Sequence, residues 1–395
     1  MFKNFKTYFF VIVLSILFSL YFFEYYLINN VGYLNLHKKA KIMKEKTGID
    51  YDKRSKIEVY KNLKKKHPNL TVQIIPKHYA INYQDKNLMP LSGLSNTKTL
   101  FCNEEGYYSM FESDRYGFNN PNTEWDKNEI EFLLVGDSFT MGECVNRPND
   151  FASNLRTLSN LSALNLGYSS NGPNIQLAVL REYLDPKVKK VLWMYYEGND
   201  LKDLEDTENS EILNKYISNE DFTQNLKLRQ TEIDQINRLE IQNFLSYHKE
   251  RNKRSLKYSI LRFIRLDKTK SFIIKLFNPE INPNTKIKEE TFQRFYNVLN
   301  VSKNYTNLMG AKFYFIYLSD YSSLLNNKIE NKYNKKKVLE IVQNLNIAYI
   351  DISEEVINND IDPLTLFPFG LPGHYSENGY RQISKIIYDK LNDKS

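Results

Sequence analysis

Five short apolar runs, alternating with stretches of helical periodicity, constrain this chain more than any other feature in it. Glu131–Val135 runs straight into Gly136-Asp137, Ala163–Leu166 forms a second run and Lys190–Tyr196 a third. Lys312–Leu318 and Ile347–Asp351 complete the set. Continuous apolar runs of this length, without alternation, read as strands buried on both faces. Between and after them, residues 149–159, 173–184, 289–309, 335–345 and 376–391 carry helical spacing, the last with Ser376 placed as an N-cap. Strand–helix alternation with fully apolar strands predicts an α/β fold, a parallel sheet covered by helices on both faces. With 42% hydrophobic and 14% aromatic residues the chain has the material for such a core, which excludes disordered and collagen-like classes.

Two regions do not follow the alternation. Residues 31–100 are rich in Lys and Asn without a sustained period, and read as a basic stalk and an irregular lead-in. Residues 201–285 interrupt the alternation between the third and fourth strands with charged, helical-looking sequence. Leu201 and Leu204, then Leu226, Ile233, Ile236 and Leu239, stand at helical spacings. This insertion is either a helical subdomain packed on the sheet edge or a lid, since it leaves the carboxyl end of a strand, where open α/β sheets bind ligands. The expected organisation is an anchor over 1–30, the stalk and lead-in over 31–100, and one α/β domain over 101–395 with its insertion.

The anchor is a run from Tyr8 to Ile28 broken only by Glu24. At 1.5 Å per residue it spans roughly 30 Å, the thickness of a bilayer core. No small-residue cleavage pattern follows it, and Phe22, Phe23, Tyr25 and Tyr26 suit an interfacial belt, so an uncleaved single span is expected. The net charge of +7 is concentrated beside it: residues 37–66 hold 12 Lys+Arg and 4 Asp+Glu, and the rest of the chain is close to neutral. A nucleic-acid-binding fold would need basic residues spread over its surface, so no nucleic-acid partner is expected. The five histidines lie at no metal-binding spacing and there are only two cysteines; neither a metal nor a cofactor is expected.

The chemistry-bearing residues fall at strand ends. The first strand ends in Leu134-Val135-Gly136-Asp137-Ser138-Phe139-Thr140, which sets a serine hydroxyl at the carboxyl edge of the sheet, with backbone N–H groups following it. The second strand leads to Asn165 and Gly167, then Ser170-Asn171-Gly172; the third to Gly198-Asn199-Asp200. Late in the chain, Pro372-Gly373-His374 opens the last helix. Asp137 and Asp200 read as acceptors that hold their turns, and Trp193, Tyr195 and Tyr196 as core aromatics.

In order and spacing these blocks resemble the SGNH/GDSL hydrolase superfamily over about residues 115–392. The resemblance implies a three-layer, flavodoxin-like parallel sheet. It makes Ser138 the nucleophile and His374 the general base. The Ser138 N–H, an N–H near Ser170 or Gly172, and the Asn199 side chain would form an oxyanion hole. Ser113–Asn119, Tyr195–Asp200 and Phe367–Gly370 are similar to a membrane-anchored bacterial subgroup associated with envelope or exopolysaccharide modification. Two departures stand out. Ser170 occupies a position usually held by glycine, and Leu371 occupies the position three before the histidine that usually holds an aspartate. Asp362 is a candidate substitute for that aspartate, the alternatives being a backbone carbonyl or a Ser–His dyad.

The implied activity is cleavage or transfer of an acyl ester, with acetyl the foremost group, on envelope or extracellular polysaccharide through an acyl-enzyme. A non-catalytic scaffold that kept the fold, or a lipid esterase, are the alternatives. Flanking charge alone would keep the large domain in the cytoplasm. Cys102 and Cys144 are either two buried thiols or a bridge closing a loop of about 40 residues, adding about 3–4 kcal/mol. A bridge persists only outside a reducing compartment. Together with the subgroup resemblance this favours an extracytoplasmic domain.

Overall fold

The computed structural model describes residues 3–30, 34–82, 88–277, 287–326 and 329–392. Among the described residues eight strands form two sheets. Three short strands, β1 (Thr71–Val72), β2 (Lys98–Leu100) and β3 (Met110–Glu112), form a small sheet in the order β1-β2-β3. The main sheet comprises β4 (Ile130–Gly136), β5 (Ala163–Asn165), β6 (Val188–Tyr196), β7 (Lys312–Leu318) and β8 (Ala348–Asp351). Their order is β5-β4-β6-β7-β8 and every pairing is parallel. This is the parallel α/β sheet expected from the five apolar runs, with the same five strands to within a few residues at each end.

The strands are continuous in hydrophobicity because both faces of the sheet are covered. Leu133, Val135, Val191, Trp193, Tyr195, Phe313 and Phe315 point to one face and pack with helices Pro173–Tyr183 and Glu289–Leu308. The alternate residues Phe132, Leu134, Leu192, Met194, Ile316 and Leu318 point to the other, against helices Phe151–Ser159 and Glu377–Asn392. The two-residue period of a strand divides one sequence between two cores. Helix Glu377–Asn392 starts where its cap was expected: the Ser376 hydroxyl accepts from the Gly379 N–H at 3.1 Å. The sheet reverses its winding at β4, so the crevice at the carboxyl end of β4 is the natural ligand site of such a fold.

The chain divides into two compact units whose composition departs from the expected domains. One comprises residues 54–242 and 286–395, the other residues 1–53 and 243–285. The lead-in from residue 54 onward is therefore part of the α/β unit and not a stalk. It contains helix Lys56–Lys64, the small sheet and helix Pro76–Asn82, and it sends Tyr79, Met89, Leu91 and Phe101 into the first core. Its elements are two to nine residues long, too short to leave a period in the sequence, and they are held by tertiary partners.

The 201–285 segment is likewise divided. Leu201, Leu204, Leu213, Tyr216, Leu226 and Ile233 join the first core. The Glu182 carboxylate fixes this part by accepting from the Gln224 N–H (2.6 Å) and the Leu226 N–H (2.9 Å). Residues 200–242 are thus a packed subdomain. Residues 243–285 belong with the N-terminal helix instead. In that second unit helix Lys3–Asn30 includes a 23-residue stretch, Lys6–Ile28, long and apolar enough to cross a bilayer.

Candidate active site

Gly136 closes β4 because nothing larger fits: a Cβ there would collide with Thr140 Oγ1 and with the Met194 carbonyl oxygen of the neighbouring strand. The chain turns at once into the short helix Ser138–Met141, capped by Asp137, whose carboxylate accepts from the Phe139 N–H at 2.9 Å. Ser138 is the first residue of that helix, where a backbone N–H has no intrahelical acceptor. Ser138 is 8% exposed.

His374 comes to Ser138 from the loop before the last helix. Its Nε2 lies 3.0 Å from Ser138 Oγ. Its Nδ1 lies 3.2 Å from Glu104 Oε1, and its backbone N–H donates to Glu104 Oε2 at 2.6 Å. A carboxylate only accepts, so Nδ1 carries the proton and Nε2 is free to take one from the serine. Gly373 makes this approach possible, since a Cβ there would strike the Glu104 carboxylate. Phe139 packs against the imidazole, with ring centroids 4.6 Å apart, and stacks on Tyr196 at 3.7 Å.

The acid behind the histidine is therefore Glu104, not Asp362. The Asp362 carboxylate accepts from the Leu364 N–H at 3.0 Å and caps the turn Pro363–Leu366, the ordinary work of an Asx residue before proline. Glu104 arrives from the loop between β2 and β3, two residues past Cys102, and Cys102 is disulfide-bonded to Cys144 with Cα atoms 4.9 Å apart. Neighbouring residues dock on the same loop: the Tyr107 hydroxyl donates to Glu377 at 2.7 Å, and Glu105 accepts from the Glu377 N–H at 3.3 Å. A signal for Glu104 did exist in the sequence. If Cys102 pairs with Cys144, six residues after Ser138, an acid beside Cys102 is carried to the nucleophile. Glu104, Cys144 and His374 offer a metal three potential ligand atoms within 4.8 Å, but the disulfide uses the cysteine sulfur and the imidazole holds the glutamate.

The remaining candidates follow the carboxyl ends of β5 and β6. The loop after β5 lies against the nucleophile helix: the Tyr168 N–H donates to the Gly136 carbonyl at 3.2 Å, and a Cβ on Gly167 would meet Thr140 Cβ at 2.6 Å. Ser170 adopts φ +60°, the left-handed conformation that makes glycine usual at that position. Gly172 caps helix Pro173–Tyr183, and a Cβ there would meet Asp203 Cβ at 2.6 Å. Asn199 precedes helix Asp200–Asp206, and its Nδ2 donates to Asp203 Oδ2 at 2.7 Å. Asp203 in turn pairs with Lys77 Nζ at 2.6 Å. One amide hydrogen of Asn199 is thus committed, which fixes the plane of the amide and the direction of the other. Gln73, also from the lead-in, donates to the Ser169 hydroxyl at 2.8 Å, and that hydroxyl donates to Glu143 at 2.5 Å.

Negative charge surrounds the imidazole. Burial opposes its protonation, but the Glu104 hydrogen bond and the charges of Glu143, Glu104 and Asp137 outweigh this and raise His374 to about 9. Glu143 Oε2 is 3.9 Å from Nε2. Burial pushes Asp137 up to about 7, opposed by His374 and by the Phe139 N–H, and reinforced by Asp203 and Glu143. Asp200, fully buried, is raised well above the usual carboxylate range by burial and by Asp137 and Asp203; its Oδ2 accepts from the Tyr196 N–H at 3.1 Å. Burial lowers the Lys56 amine and Glu143 opposes that.

The strings Ser113–Asn119, Tyr195–Asp200 and Phe367–Gly370 have structural roles here. In the first, buried Asp114 accepts from the N–H groups of Tyr116 and Phe118, from Asn120 Nδ2 and from Trp125 Nε1. Asn119 donates to the Met141 carbonyl at 3.0 Å, which ties the segment after β3 to helix Ser138–Met141. In the second, Glu197 accepts from the Tyr317 hydroxyl (2.6 Å) and the Asp320 N–H (2.8 Å), latching the ends of β6 and β7. In the third, the Gly370 carbonyl accepts from the Tyr321 hydroxyl at 3.0 Å.

No family model matches this chain, and no curated protein does. Among solved structures it is similar to a member of the lipolytic protein G-D-S-L family from Veillonella parvula, at 11% identity and a TM-score of 0.37, over 67% of this chain and 98% of that one. It is also similar to a lipase/acylhydrolase from Enterococcus faecalis, at 13% identity and a TM-score of 0.37, over 67% and 96%. A third is the acetyl xylan esterase AlAXEase, at 8% identity and a TM-score of 0.37, over 66% and 100%.

Proposed function

We propose that this chain is an SGNH-type serine ester hydrolase or O-acyltransferase, anchored by its N-terminal helix. Its substrates are acyl esters, acetyl esters foremost, on envelope or extracellular polysaccharide outside the cytoplasm. The observation that carries this reading is the line Ser138 Oγ, His374 Nε2, His374 Nδ1, Glu104, with spacings of 3.0 and 3.2 Å, at the carboxyl end of the first sheet strand. The polysaccharide substrate rests on the resemblance of the three strings. The extracytoplasmic location is supported by the Cys102–Cys144 bond.

In this mechanism neutral His374 takes the Ser138 proton as the oxygen attacks the ester carbonyl. Glu104 accepts from Nδ1–H and stabilises the imidazolium that forms. The tetrahedral oxyanion is held by the Ser138 N–H, an N–H of the Ser170–Gly172 turn and the uncommitted hydrogen of Asn199 Nδ2. The imidazolium protonates the departing alcohol, leaving Ser138 acylated. Water or a sugar hydroxyl, deprotonated by the same histidine, then releases the acyl group.

The test is acetate release from an O-acetylated polysaccharide by the full-length protein in detergent micelles, with acetate transfer to an added oligosaccharide read in parallel. Ser138→Ala is expected to abolish both. Turnover that survives Ser138→Ala contradicts the serine mechanism, and activity confined to long-chain lipid esters contradicts the substrate.

A further inference from the structure

Glu24 is the only charged residue in the apolar stretch Thr7–Ile28, and a carboxylate at that depth is costly unless it is paired. It is 1% exposed. Its two oxygens accept from the N–H groups of Lys268 (3.0 Å) and Thr269 (2.7 Å), at the start of helix Asp267–Phe277. A negative group at a helix N-terminus satisfies orphan donors and complements the dipole. Around it, the Tyr21 hydroxyl donates to the Ile264 carbonyl at 3.2 Å. Tyr21 packs on Phe263 and Phe23 on Phe272, with centroids 5.4 and 5.3 Å apart. The turn between helix Gln230–Ile264 and helix Asp267–Phe277 is thus fastened to the last three turns of the N-terminal helix. Glu24 lies about one helical turn, roughly 6 Å, from the end of the apolar stretch at Ile28.

The outward side of this helix pair is apolar. Ile260, Ile264, Phe272, Ile273 and Ile274 are between 42 and 54% exposed, and Phe22, Tyr25 and Tyr26 on the N-terminal helix to which the turn is fastened are exposed as well. Around these residues the sequence is basic: residues 249–277 contain ten Lys+Arg and two Asp+Glu. A groove of about 580 Å³ lies in the same place, lined by Leu27, Arg262, Lys268, Lys270, Phe272 and Ile274. The one acid on its wall, Asp267, is 3.7 Å from Arg262. Cationic walls over an apolar floor suit an amphiphile whose head is a phosphate and whose tail is hydrocarbon.

We propose that residues 258–277 lie in the interface of an anionic phospholipid bilayer beside the N-terminal helix, with a phospholipid headgroup held in this groove. The inference rests on the reading of that helix as a membrane anchor. Continuity with the anchor and charge complementarity both name the lipid as occupant. Free inorganic phosphate would leave the isoleucines in water.

The test uses the full chain in nanodiscs of phosphatidylcholine and phosphatidylglycerol whose acyl chains are brominated. Ile273→Trp and Ile264→Trp report on the hairpin, Phe18→Trp reports on the anchor, and emission of the parent protein is subtracted. Bromolipid is expected to quench all three added tryptophans by about twofold or more. Quenching at position 18 without quenching at 264 and 273 overturns the proposal and leaves the anchor standing. No quenching at any of the three overturns the anchor as well. Blue-shifted emission at 264 or 273 that bromolipid does not quench indicates a protein partner on this face and also overturns the proposal. Lys268→Glu with Lys270→Glu is expected to reduce at least twofold the phosphatidylglycerol that co-purifies with the chain in detergent, read by native mass spectrometry; unchanged retention contradicts the headgroup site.

Discussion

The two halves of the active site are held by different means. Ser138 and Asn199 stand at the ends of β4 and β6, central strands with buried residues on both faces. The backbone places them, and to move either would disturb the core. Glu104 lies in the loop between β2 and β3 of the small sheet, in a segment held by the Cys102–Cys144 bond and by side-chain contacts of Glu104, Glu105 and Tyr107. The proposed nucleophile and oxyanion donor thus belong to the scaffold, whereas the proposed orienting acid is delivered by a separately fastened strap. Such a site keeps its nucleophile under conditions that loosen its acid.

The largest expected separation between the halves comes from Glu104→Gln. The serine and its histidine remain, but tautomer control and charge stabilisation of the imidazolium are lost, so kcat for ester hydrolysis should fall by about 10²–10⁴ with KM little changed. A loss below threefold would mean that the strap does not take part in catalysis. Asn199→Ala removes a donor set by the scaffold, and kcat should fall by about 10²–10³. A matching rise in KM with kcat unchanged would place Asn199 in substrate binding instead.

Reduction of the disulfide, or Cys102→Ser with Cys144→Ser, should loosen the strap alone. Stability by chemical denaturation is expected to drop by about 3–4 kcal/mol. Activity of the still-folded protein is expected to drop toward, but not below, that of Glu104→Gln. Full activity after reduction would show that the side-chain contacts suffice to hold Glu104. Asp362→Ala marks the low end. Loss of its cap should cost about 1 kcal/mol of stability and leave kcat within about twofold, since its carboxylate serves Leu364. A loss comparable to that of Glu104→Gln would return Asp362 to the catalytic set.

This division also explains what was legible in the sequence. The five main strands are visible because burial on both faces writes an unbroken apolar run. Gly136-Asp137-Ser138, Gly198-Asn199-Asp200 and Gly373-His374 are visible because each follows such a run or opens a helix. Glu104 carries no comparable mark. It lies in a segment of two- to nine-residue elements whose partners are distant in the chain, and its geometry depends on a disulfide that the sequence offers only as an alternative to two free thiols. Asp362 drew notice by nearness to His374 in sequence, while the acid that reaches the imidazole comes from 270 residues away. The division of residues 201–285 was hidden for a similar reason: the partner of residues 243–285 is the N-terminal helix, at the opposite end of the sequence.

The central claim is that Ser138, His374 and Glu104 act as one proton-transfer line, and its most direct test is the pH dependence of Ser138 labelling by a fluorophosphonate. Only neutral His374 can take the serine proton, and His374 is raised to about 9 with Glu104 among the causes. Labelling should therefore climb with pH up to a limb near 9. In Glu104→Gln that limb should move down toward the ordinary imidazole value while the maximal rate falls. A serine that is not labelled at any pH, or a limb that stays in place when Glu104 is neutralised, would contradict the account.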